Sequence, residues 1–231
     1  PPFRWWRSRP LTRRFLKTRE AKTRERSGET SPPLRAPTFD IERELLDQGY
    51  RRIAGVDEVG RGALAGPLCL GLVIFSPDTI ARPAEGLMSS VNDSKKLSHR
   101  ARIAALEHIR SGAAYLYTAM ASHRTVDRLN INGATEFLLR RILLQLPESP
   151  DVVIMDGHFA FSPGIRFIPI PKGDARSITI ASASIAAKVR RDGILDKFEL
   201  LYPGYGFNKN KGYGTLEHRE SIGRIDRKSV V

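Results

Sequence analysis

The stretch IAGVDEVGRG, residues 53–62, places two adjacent carboxylates inside an apolar run and then sets one arginine between two glycines. The isoleucine, alanine and valines around Asp57 and Glu58 are typical of a buried strand, where an ionised carboxylate is costly unless a cation offsets its charge. Arg61 offers a salt bridge, but a divalent metal ion suits carboxylate oxygens better. The stretch therefore predicts a strand that carries a charged site.

Two further carboxylates end apolar runs in the same way. Asp156 closes VVIMDG and Asp174 follows IPIPKG. Each aspartate alone is most simply a turn residue, but ligand sites in open sheets lie at strand ends, so the joint pattern favours one site. Carboxylates that converge there repel one another, and bound Mg²⁺ or Mn²⁺ relieves the repulsion.

Asp57 and Glu58 present a geometric problem, because adjacent residues of a regular strand point to opposite faces of the sheet. Three solutions are open at this point. The strand bulges or ends at the pair, the Glu58 side chain reaches round the edge, or the Glu58 backbone carbonyl is the ligand.

The order of apolar segments predicts an α/β fold. Five strands are expected, at residues 50–60, 66–75, 113–122, 151–157 and 165–170. Four helices are expected, at residues 99–110, 125–146, 177–200 and 215–224. Short links between the first three strands, followed by alternating helix and strand, favour a mixed five-stranded sheet flanked by helices, with a C-terminal helical segment.

Charge is distributed unevenly along the chain of 231 residues. The net charge is +13, and residues 1–36 contribute +8 of it, through eleven lysines and arginines against Glu20, Glu25 and Glu29. This excess favours a polyanionic partner such as nucleic acid or an acidic membrane surface. We expect residues 1–38 to form a basic, disordered arm and residues 39–231 to form the catalytic domain.

The remaining composition excludes several classes of protein. A single cysteine, Cys69, cannot form an internal disulfide or a cysteine-rich zinc site, and it favours a reducing, cytoplasmic setting. No apolar run is long enough to span a membrane. We therefore expect no membrane partner.

Several motifs taken together resemble bacterial ribonuclease HII. They are GVDEVGRGALAGP, NDSKKLS, VIMDG, KGD, SASIAAKVRRD and YPGYGFNKNKGYGT with a following EH, in this order along roughly residues 50–220. GRG in place of GKG favours this family over ribonuclease HIII. The last residues, 222–231, form an atypical tail that does not resemble the family's usual ending.

The resemblance implies a ribonuclease H-like fold and a site of four carboxylates, Asp57, Glu58, Asp156 and Asp174, that binds two divalent ions. It also implies that Gly60, Arg61 and Gly62 approach the nucleic acid backbone and that Tyr213 of KGY helps to sense a ribonucleotide. The implied substrates are RNA–DNA hybrids and duplex DNA containing ribonucleotides, nicked 5′ to the ribonucleotide to give 5′-phosphate and 3′-hydroxyl ends. A monomer is expected, and binding to a sliding clamp is left open.

Basic and aromatic residues outside the carboxylate site have less specific patterns. Lys95 and Lys96 are expected to contact phosphates, and Lys188, Arg190 and Arg191 to form a helix surface. Two other interpretations remain open here. Tyr205 and Phe207 either stack on nucleic acid or are buried in an ordered loop, and His158 either assists a proton transfer or is a surface residue.

Two rival functions are considered. One is another metal nuclease of the same fold, such as a junction resolvase or an integrase core, which would not need the GRG and KGY elements. The other is a non-catalytic nucleic-acid-binding protein, which would keep the basic surface but would not need the carboxylates. Metal-dependent cleavage of a duplex that contains a ribonucleotide separates the second rival from an enzyme.

Overall fold

A mixed five-stranded sheet is the centre of the protein, which we describe from a computed structural model at residues 36–92 and 94–225. The strands are β1 (Ile53–Val59), β2 (Leu68–Phe75), β3 (Ala113–Ala121), β4 (Val152–Asp156) and β5 (Arg166–Ile170). Their spatial order is β3-β2-β1-β4-β5. The first three strands form an antiparallel meander, and β4 and β5 continue the sheet in parallel with β1.

Helices cover both faces of this sheet. They are α1 (Asp40–Asp47), α2 (Pro77–Ala81), α3 (Glu85–Ser90), α4 (His99–Gly112), α5 (His123–Leu143), α6 (Ile178–Leu201), α7 (Phe207–Asn210) and α8 (Leu216–Ile225). One hydrophobic cluster joins α1–α4 and α6 to one face of the sheet, and a second joins α5 to the other. Two buried layers of side chains therefore hold the sheet between its helices.

Helix α6 lies unusually close to the strands beneath it. All of its residues from Ile178 to Ala187 are buried, and alanine and serine make up much of that segment. A Cβ atom added at Gly71 of β2 would lie 2.2 Å from the carbonyl oxygen of Ala183, so the two backbones touch at this point. Small residues on both elements are what allow this contact.

The predicted α/β fold is confirmed, together with its five strands and the four predicted helices. The sequence did not predict α1, α2, α3 or α7, each of which has eight residues or fewer. Helix α5 is interrupted at Asn130, where φ is 56° and ψ is 173°. Among the described residues, no helix is long and apolar enough to cross a membrane.

The predicted basic arm falls almost wholly outside the described residues, as does the end of the tail at 226–231. At the end of the predicted arm, Thr38 pairs with the segment that opens α6: its N–H donates to Arg176 O at 3.2 Å, and its carbonyl accepts from Ile178 N at 3.0 Å. Thr38, which the prediction assigned to the arm, is thus hydrogen-bonded to the packed domain.

Candidate active site

Asp57 and Asp156 lie side by side on neighbouring strands, with Asp156 at the end of β4. Val56 of β1 pairs with Met155 of β4, and each aspartate is the next residue of its strand. Residues in register on parallel strands point to the same face. Both carboxylates therefore face α6, where the Ser184 hydroxyl hydrogen-bonds to Asp57.

Glu58 points to the opposite face, towards α5. Strand β1 is regular here, since Asp57 pairs with Gly71 and Glu58 with Leu70 without a bulge. Asp57 and Glu58 therefore do point to opposite faces of the sheet. Even so, Glu58 is close enough to Asp156 for their charges to interact, because β4 ends at Asp156 and does not separate them.

Asp174 joins the two aspartates on the α6 face. It lies in a short 3₁₀ turn, Gly173–Ala175, between β5 and α6, and it is buried. The turn is held to β4 by a hydrogen bond of 2.6 Å from Gly173 N to Asp156 Oδ1. Lys95 Nζ lies 3.2 Å from Asp174 Oδ2, so the NDSKKLS segment reaches the site as well.

Burial and mutual repulsion make three of these carboxylates reluctant to ionise. Burial is the main reason that the pKa of Asp57 is raised well above its usual value, and Glu58 and Asp156 add to the effect. Burial also raises the pKa of Glu58 to about 7, although the Arg61 charge opposes this. The pKa of Asp156 is raised by burial, against the hydrogen bond from Gly173 N, and the charge of Asp174 raises it further.

A divalent cation fits this arrangement. Glu58 Oε2 is buried and has no hydrogen-bond partner within the part of the chain that the structure describes, so an electropositive ligand would satisfy it. A bound cation would also remove the repulsion that raises these pKa values. Across residues 36–92 and 94–225, however, no three acidic, histidine or cysteine side chains form a ready-made metal shell. The four carboxylates thus share one region without converging on one point.

The GRG loop, residues 60–67, begins directly after β1 and runs beside these carboxylates. Gly60 has a φ of 103°, a conformation that favours glycine. A Cβ atom added at Gly62 would have no neighbouring atom within 4 Å, so the space beside this residue is open. Arg61 is exposed, donates from Nη2 to Asn132 Oδ1 at 2.6 Å, and places its guanidinium carbon 5.2 Å from the centre of the Phe159 ring. The loop therefore presents backbone and one cation to a neighbouring molecule.

Tyr213 belongs to the KGY loop, residues 211–214, which pairs with the GRG loop. Ala63 and Tyr213 form an antiparallel backbone bridge, and Leu64 N donates to Gly212 O at 2.8 Å. The tyrosine ring is half-buried, so one part of it remains open. Two segments 150 residues apart in sequence are thus brought together in the loop that follows β1.

The other predicted contacts differ in their surroundings. Lys95 and Lys96 are both exposed, as phosphate contacts would need to be, and His158 is exposed after β4. Tyr205 and Phe207 are each 3 % exposed and stack on one another with ring centres 5.5 Å apart. Of the two interpretations offered for this pair, the buried loop is therefore correct.

The expectation that Arg191 belongs to a helix surface is wrong. Its side chain is fully buried, because the GRG and KGY loops fold over this part of α6. Lys188 is mostly covered too and pairs with Asp192 at 2.7 Å, whereas Arg190 is exposed as expected. A run of charged residues in a helix resembles a solvated surface unless the loops that return to cover it are known.

Three other contributors escaped sequence reasoning. Ser184 contacts Asp57 and lies 2.9 Å from Ser94 Oγ, which links the NDSKKLS segment to the first carboxylate. Asn132 holds Arg61, and buried Glu42 accepts hydrogen bonds from Ser177 Oγ and Thr179 N at the start of α6. The only sequence signal for Ser184 was its place in the small-residue half of α6, which also fits simple helix packing.

Comparisons with known proteins point to one family. The family model described as Ribonuclease HII matches residues 54–229. Ribonuclease HII from Clostridioides difficile is 41% identical over 205 residues, covering 85% of this chain and 77% of the relative. The protein of the same name from Chlorobium luteolum is 38% identical over 203 residues, covering 84% and 93%.

A solved structure shares the fold. The PCNA:RNase HII complex from Archaeoglobus fulgidus contains a chain that superposes with a TM-score of 0.64 at 25% identity, covering 78% of this chain and 91% of that one. The family match includes the four carboxylates, both loops and all five strands, except for the first residue of β1. The chain therefore belongs to the ribonuclease HII family and is a ribonuclease H, an endonuclease that hydrolyses the RNA strand of RNA–DNA hybrids.

Proposed function

We propose that this ribonuclease H also nicks duplex DNA 5′ to a single embedded ribonucleotide. The observation that supports this most strongly is the backbone pairing of Ala63 with Tyr213, in the loop that directly follows the carboxylates of β1 in sequence. An enzyme that recognises one ribonucleotide needs two groups that read the same sugar and its neighbour. A loop of bare backbone and an adjoining aromatic ring meet that need.

The GRG loop is proposed to read the ribose. Backbone N–H and carbonyl groups near Gly60 and Gly62 can meet a phosphate and a 2′-hydroxyl, and that hydroxyl is what distinguishes RNA from DNA at a given position. The open space at Gly62 leaves room for a strand to approach. Arg61 adds a positive charge next to the backbone of that strand.

Tyr213 is proposed to read the junction. A deoxyribose that follows the ribonucleotide lacks the 2′-hydroxyl and offers a flat face on which an aromatic ring can pack. The phenol hydroxyl can hydrogen-bond close to the ribose that the GRG loop contacts. Its place next to Ala63 lets both groups act on one substrate position.

Asp57, Glu58, Asp156 and Asp174 are proposed to hold two divalent ions, either Mg²⁺ or Mn²⁺. Two such ions, when bound, generate a nucleophile from water and neutralise charge at the phosphate and at the leaving oxygen. Asp57 is proposed to be the shared ligand, because it lies between Glu58 and Asp156 and is the most buried of the three. Lys95, which is exposed beside Asp174, is suited to hold a phosphate of the cut strand.

Attack by water, rather than by the neighbouring 2′-hydroxyl, defines the proposed products. The fragment that carries the ribonucleotide receives a 5′-phosphate, and the upstream DNA keeps a 3′-hydroxyl. The 2′-hydroxyl acts in recognition only and stays intact.

Further proposals concern location, assembly, partners and the basic arm. A cytoplasmic, monomeric enzyme accords with the single buried cysteine and the family. A sliding clamp is proposed as a protein partner because the Archaeoglobus fulgidus relative was solved in complex with PCNA. The basic arm at residues 1–38 is proposed to lie outside the 39–231 catalytic domain and to be dispensable for the chemistry.

The experiment compares labelled duplexes that contain one ribonucleotide, a uniform RNA–DNA hybrid, or DNA alone. Wild type should cut the first two in the presence of Mg²⁺ or Mn²⁺ and should fail in EDTA. Tyr213→Ala should lose about 5- to 150-fold of the single-ribonucleotide activity, the equivalent of one contact worth about 1–3 kcal/mol. Tyr50→Ala, a half-buried tyrosine outside the proposed site, is the control.

The outcomes separate the competing functions. Cleavage of the hybrid alone would contradict the junction-sensing role of Tyr213. Binding of all three duplexes without metal-dependent cleavage would instead favour a non-catalytic nucleic-acid-binding protein.

A further inference from the structure

Arg191 is a fully buried arginine that spans two loops. Its Nε donates to Pro67 O at 2.9 Å, its Nη2 to Ala65 O at 3.0 Å, and its Nη1 to Lys211 O at 2.7 Å. The first two acceptors belong to the GRG loop and the third to the KGY loop. One rigid guanidinium thus holds three backbone carbonyls from segments that are 144 residues or more apart in sequence.

Burial of the charged Arg191 guanidinium has a desolvation cost. Burial lowers the pKa of Arg191, although nearby Tyr213 and Asp192 oppose that effect. A buried cation needs hydrogen bonds that satisfy most of its donors, and carbonyl acceptors offset less of the desolvation cost than a carboxylate does. The cost is consistent with a geometric role for this side chain rather than with a general gain in stability.

Arg191 also lies beneath the aromatic ring that the KGY loop carries. Its guanidinium carbon is 5.2 Å from the centre of the Tyr213 ring, and Lys188 Nζ is 5.8 Å from the same centre. The side chain therefore contacts the ring and, through Ala65 and Pro67, the backbone of the GRG loop. A change at this position alters the spacing between the two.

The contact between the loops leaves little tolerance in that spacing. Gly212 O accepts from Leu64 N at 2.8 Å and from Ala65 N at 3.1 Å. A Cβ atom added at Gly212 would lie 2.1 Å from Ala65 O and 3.3 Å from Arg191 Nη2. The loops and the guanidinium are therefore packed in direct contact.

We propose that Arg191 is a positioning residue that fixes Tyr213 relative to the GRG loop and thereby sets the selectivity for a single ribonucleotide. The inference rests on the proposed function, since it concerns how the two ribose-reading loops are held together. Arg191 acts through the loops and does not touch the substrate. Hydrolysis of a uniform hybrid depends less on the junction, so it should depend less on Arg191.

Arg191→Lys is the informative variant. Lysine keeps the charge next to Tyr213 but replaces a planar fork of donors with a point charge, which cannot hold three carbonyls in one geometry. We expect the ratio of kcat/KM on the single-ribonucleotide duplex to kcat/KM on the uniform hybrid to fall by at least about 10-fold, the effect expected when buried hydrogen bonds are lost. On the hybrid, kcat should change by much less.

A stability control distinguishes positioning from general weakening. Leu138 is fully buried against the other face of the sheet, in the cluster of α5. Leu138→Ala should lower the melting temperature and leave the ratio between the two substrates at its wild-type value. A merely structural role for Arg191 would give the same pattern as Leu138.

Gly212→Ala provides an independent route if Arg191→Lys does not fold. The added methyl group clashes with Ala65 O and separates the loops while Arg191 stays in place. The same loss of selectivity is expected. The inference is overturned if the variants that fold keep the wild-type ratio of kcat/KM between the two substrates. An equal loss of activity on both substrates, which also leaves the ratio unchanged, would overturn it as well.

Failure of the inference can be told apart from failure of the proposed function. If wild type leaves the single-ribonucleotide duplex intact, the proposed function is wrong and the inference falls with it. If wild type cuts that duplex and Tyr213→Ala loses the activity while Arg191→Lys and Gly212→Ala keep it, only the inference is wrong.

Discussion

Replacing Asp57 by asparagine separates the contribution of this residue to chemistry from its contribution to folding. Asp57 as a residue is 6 % exposed, and burial, Glu58 and Asp156 all raise the pKa of its carboxyl group. Asparagine has nearly the same shape and keeps an oxygen that can accept the hydrogen bond from Glu58 N, which is 2.8 Å long in the wild type. The substitution therefore removes a charge without leaving a cavity.

The metal-free variant should be more stable than the wild type. At neutral pH, each unit by which folding raises a carboxyl pKa destabilises the folded state by about 1.4 kcal/mol, a cost that the asparagine variant does not have. A gain of about 1 kcal/mol raises the melting temperature of a domain of this size by about 2–4 °C. Relief of repulsion from Glu58 and Asp156 is the physical reason.

The gain should depend on pH in a defined direction. Because folding raises the pKa of Asp57, its protonated form contributes stability below the unfolded pKa, and that stability is lost as pH rises through the folded pKa. The asparagine variant has no such loss. The difference in melting temperature should therefore be small near pH 4 and should grow towards neutral pH.

The assay combines thermal melts in EDTA with cleavage of a labelled hybrid in Mg²⁺. We expect cleavage to fall by more than about 100-fold, beyond the range typical of residues that only support metal ligands. Near-normal turnover would remove Asp57 from the site, and a variant less stable than the wild type at neutral pH in EDTA would refute the repulsion argument.

Asp151→Asn is the matched control, because this aspartate lies just before β4 and outside the site. Burial opposes ionisation there, but hydrogen bonds from Arg52 N and Arg51 N hold the pKa of Asp151 below its usual value. Its carboxylate thus contributes stability above the unfolded pKa, and this contribution is lost as pH falls. The control should lose stability at neutral pH and keep its activity.

Three further predictions concern the rest of the chain. Deleting residues 1–36 should leave kcat unchanged and, if the arm contacts phosphates, should reduce the slope of binding affinity against salt concentration, whereas a large loss of kcat would contradict the view of this segment as an appendage. Glu42→Ala should cost about 1–3 kcal/mol in urea-unfolding experiments, because Ser177 Oγ and Thr179 N lose their acceptor, whereas Glu42→Gln should cost less; equal losses would contradict the hydrogen-bonding role. Burial raises the pKa of Cys69 to about 12, so iodoacetamide should label it slowly in the native protein and rapidly in denaturant; fast native labelling would show that the thiol is accessible.

The strands and the α6-facing carboxylates could be predicted because they depend on local patterns. Asp57 lies inside one apolar run and Asp156 ends another, and a parallel pairing of those runs in register places them side by side. The adjacency of Asp57 and Glu58 also revealed in advance that the two must face opposite sides of a regular strand. Both conclusions use the alternation of side chains between the two faces of a strand.

The features that could not be predicted depend on segments far apart in the chain. Arg191 belongs to a charged run that resembles an exposed helix surface. It is buried because two loops fold over it and their carbonyl groups, at Ala65, Pro67 and Lys211, accept its hydrogen bonds. The break in α5 at Asn130 likewise has no signature in the helical spacing of its apolar residues. Local patterns define elements, whereas long-range backbone contacts decide which polar residues are covered.

The position of the cut and the chemistry of its ends test the central claim most directly. A duplex with one ribonucleotide, labelled at the 5′ end in one preparation and at the 3′ end in another, is digested in Mg²⁺ and compared with alkaline-hydrolysis markers. Attack by water at the proposed carboxylate site predicts a cut 5′ to the ribonucleotide, with a 3′-hydroxyl on the upstream DNA and a 5′-phosphate on the ribonucleotide. A cut 3′ to the ribonucleotide that leaves a 2′,3′-cyclic phosphate would show that the 2′-hydroxyl is the nucleophile and would contradict the account.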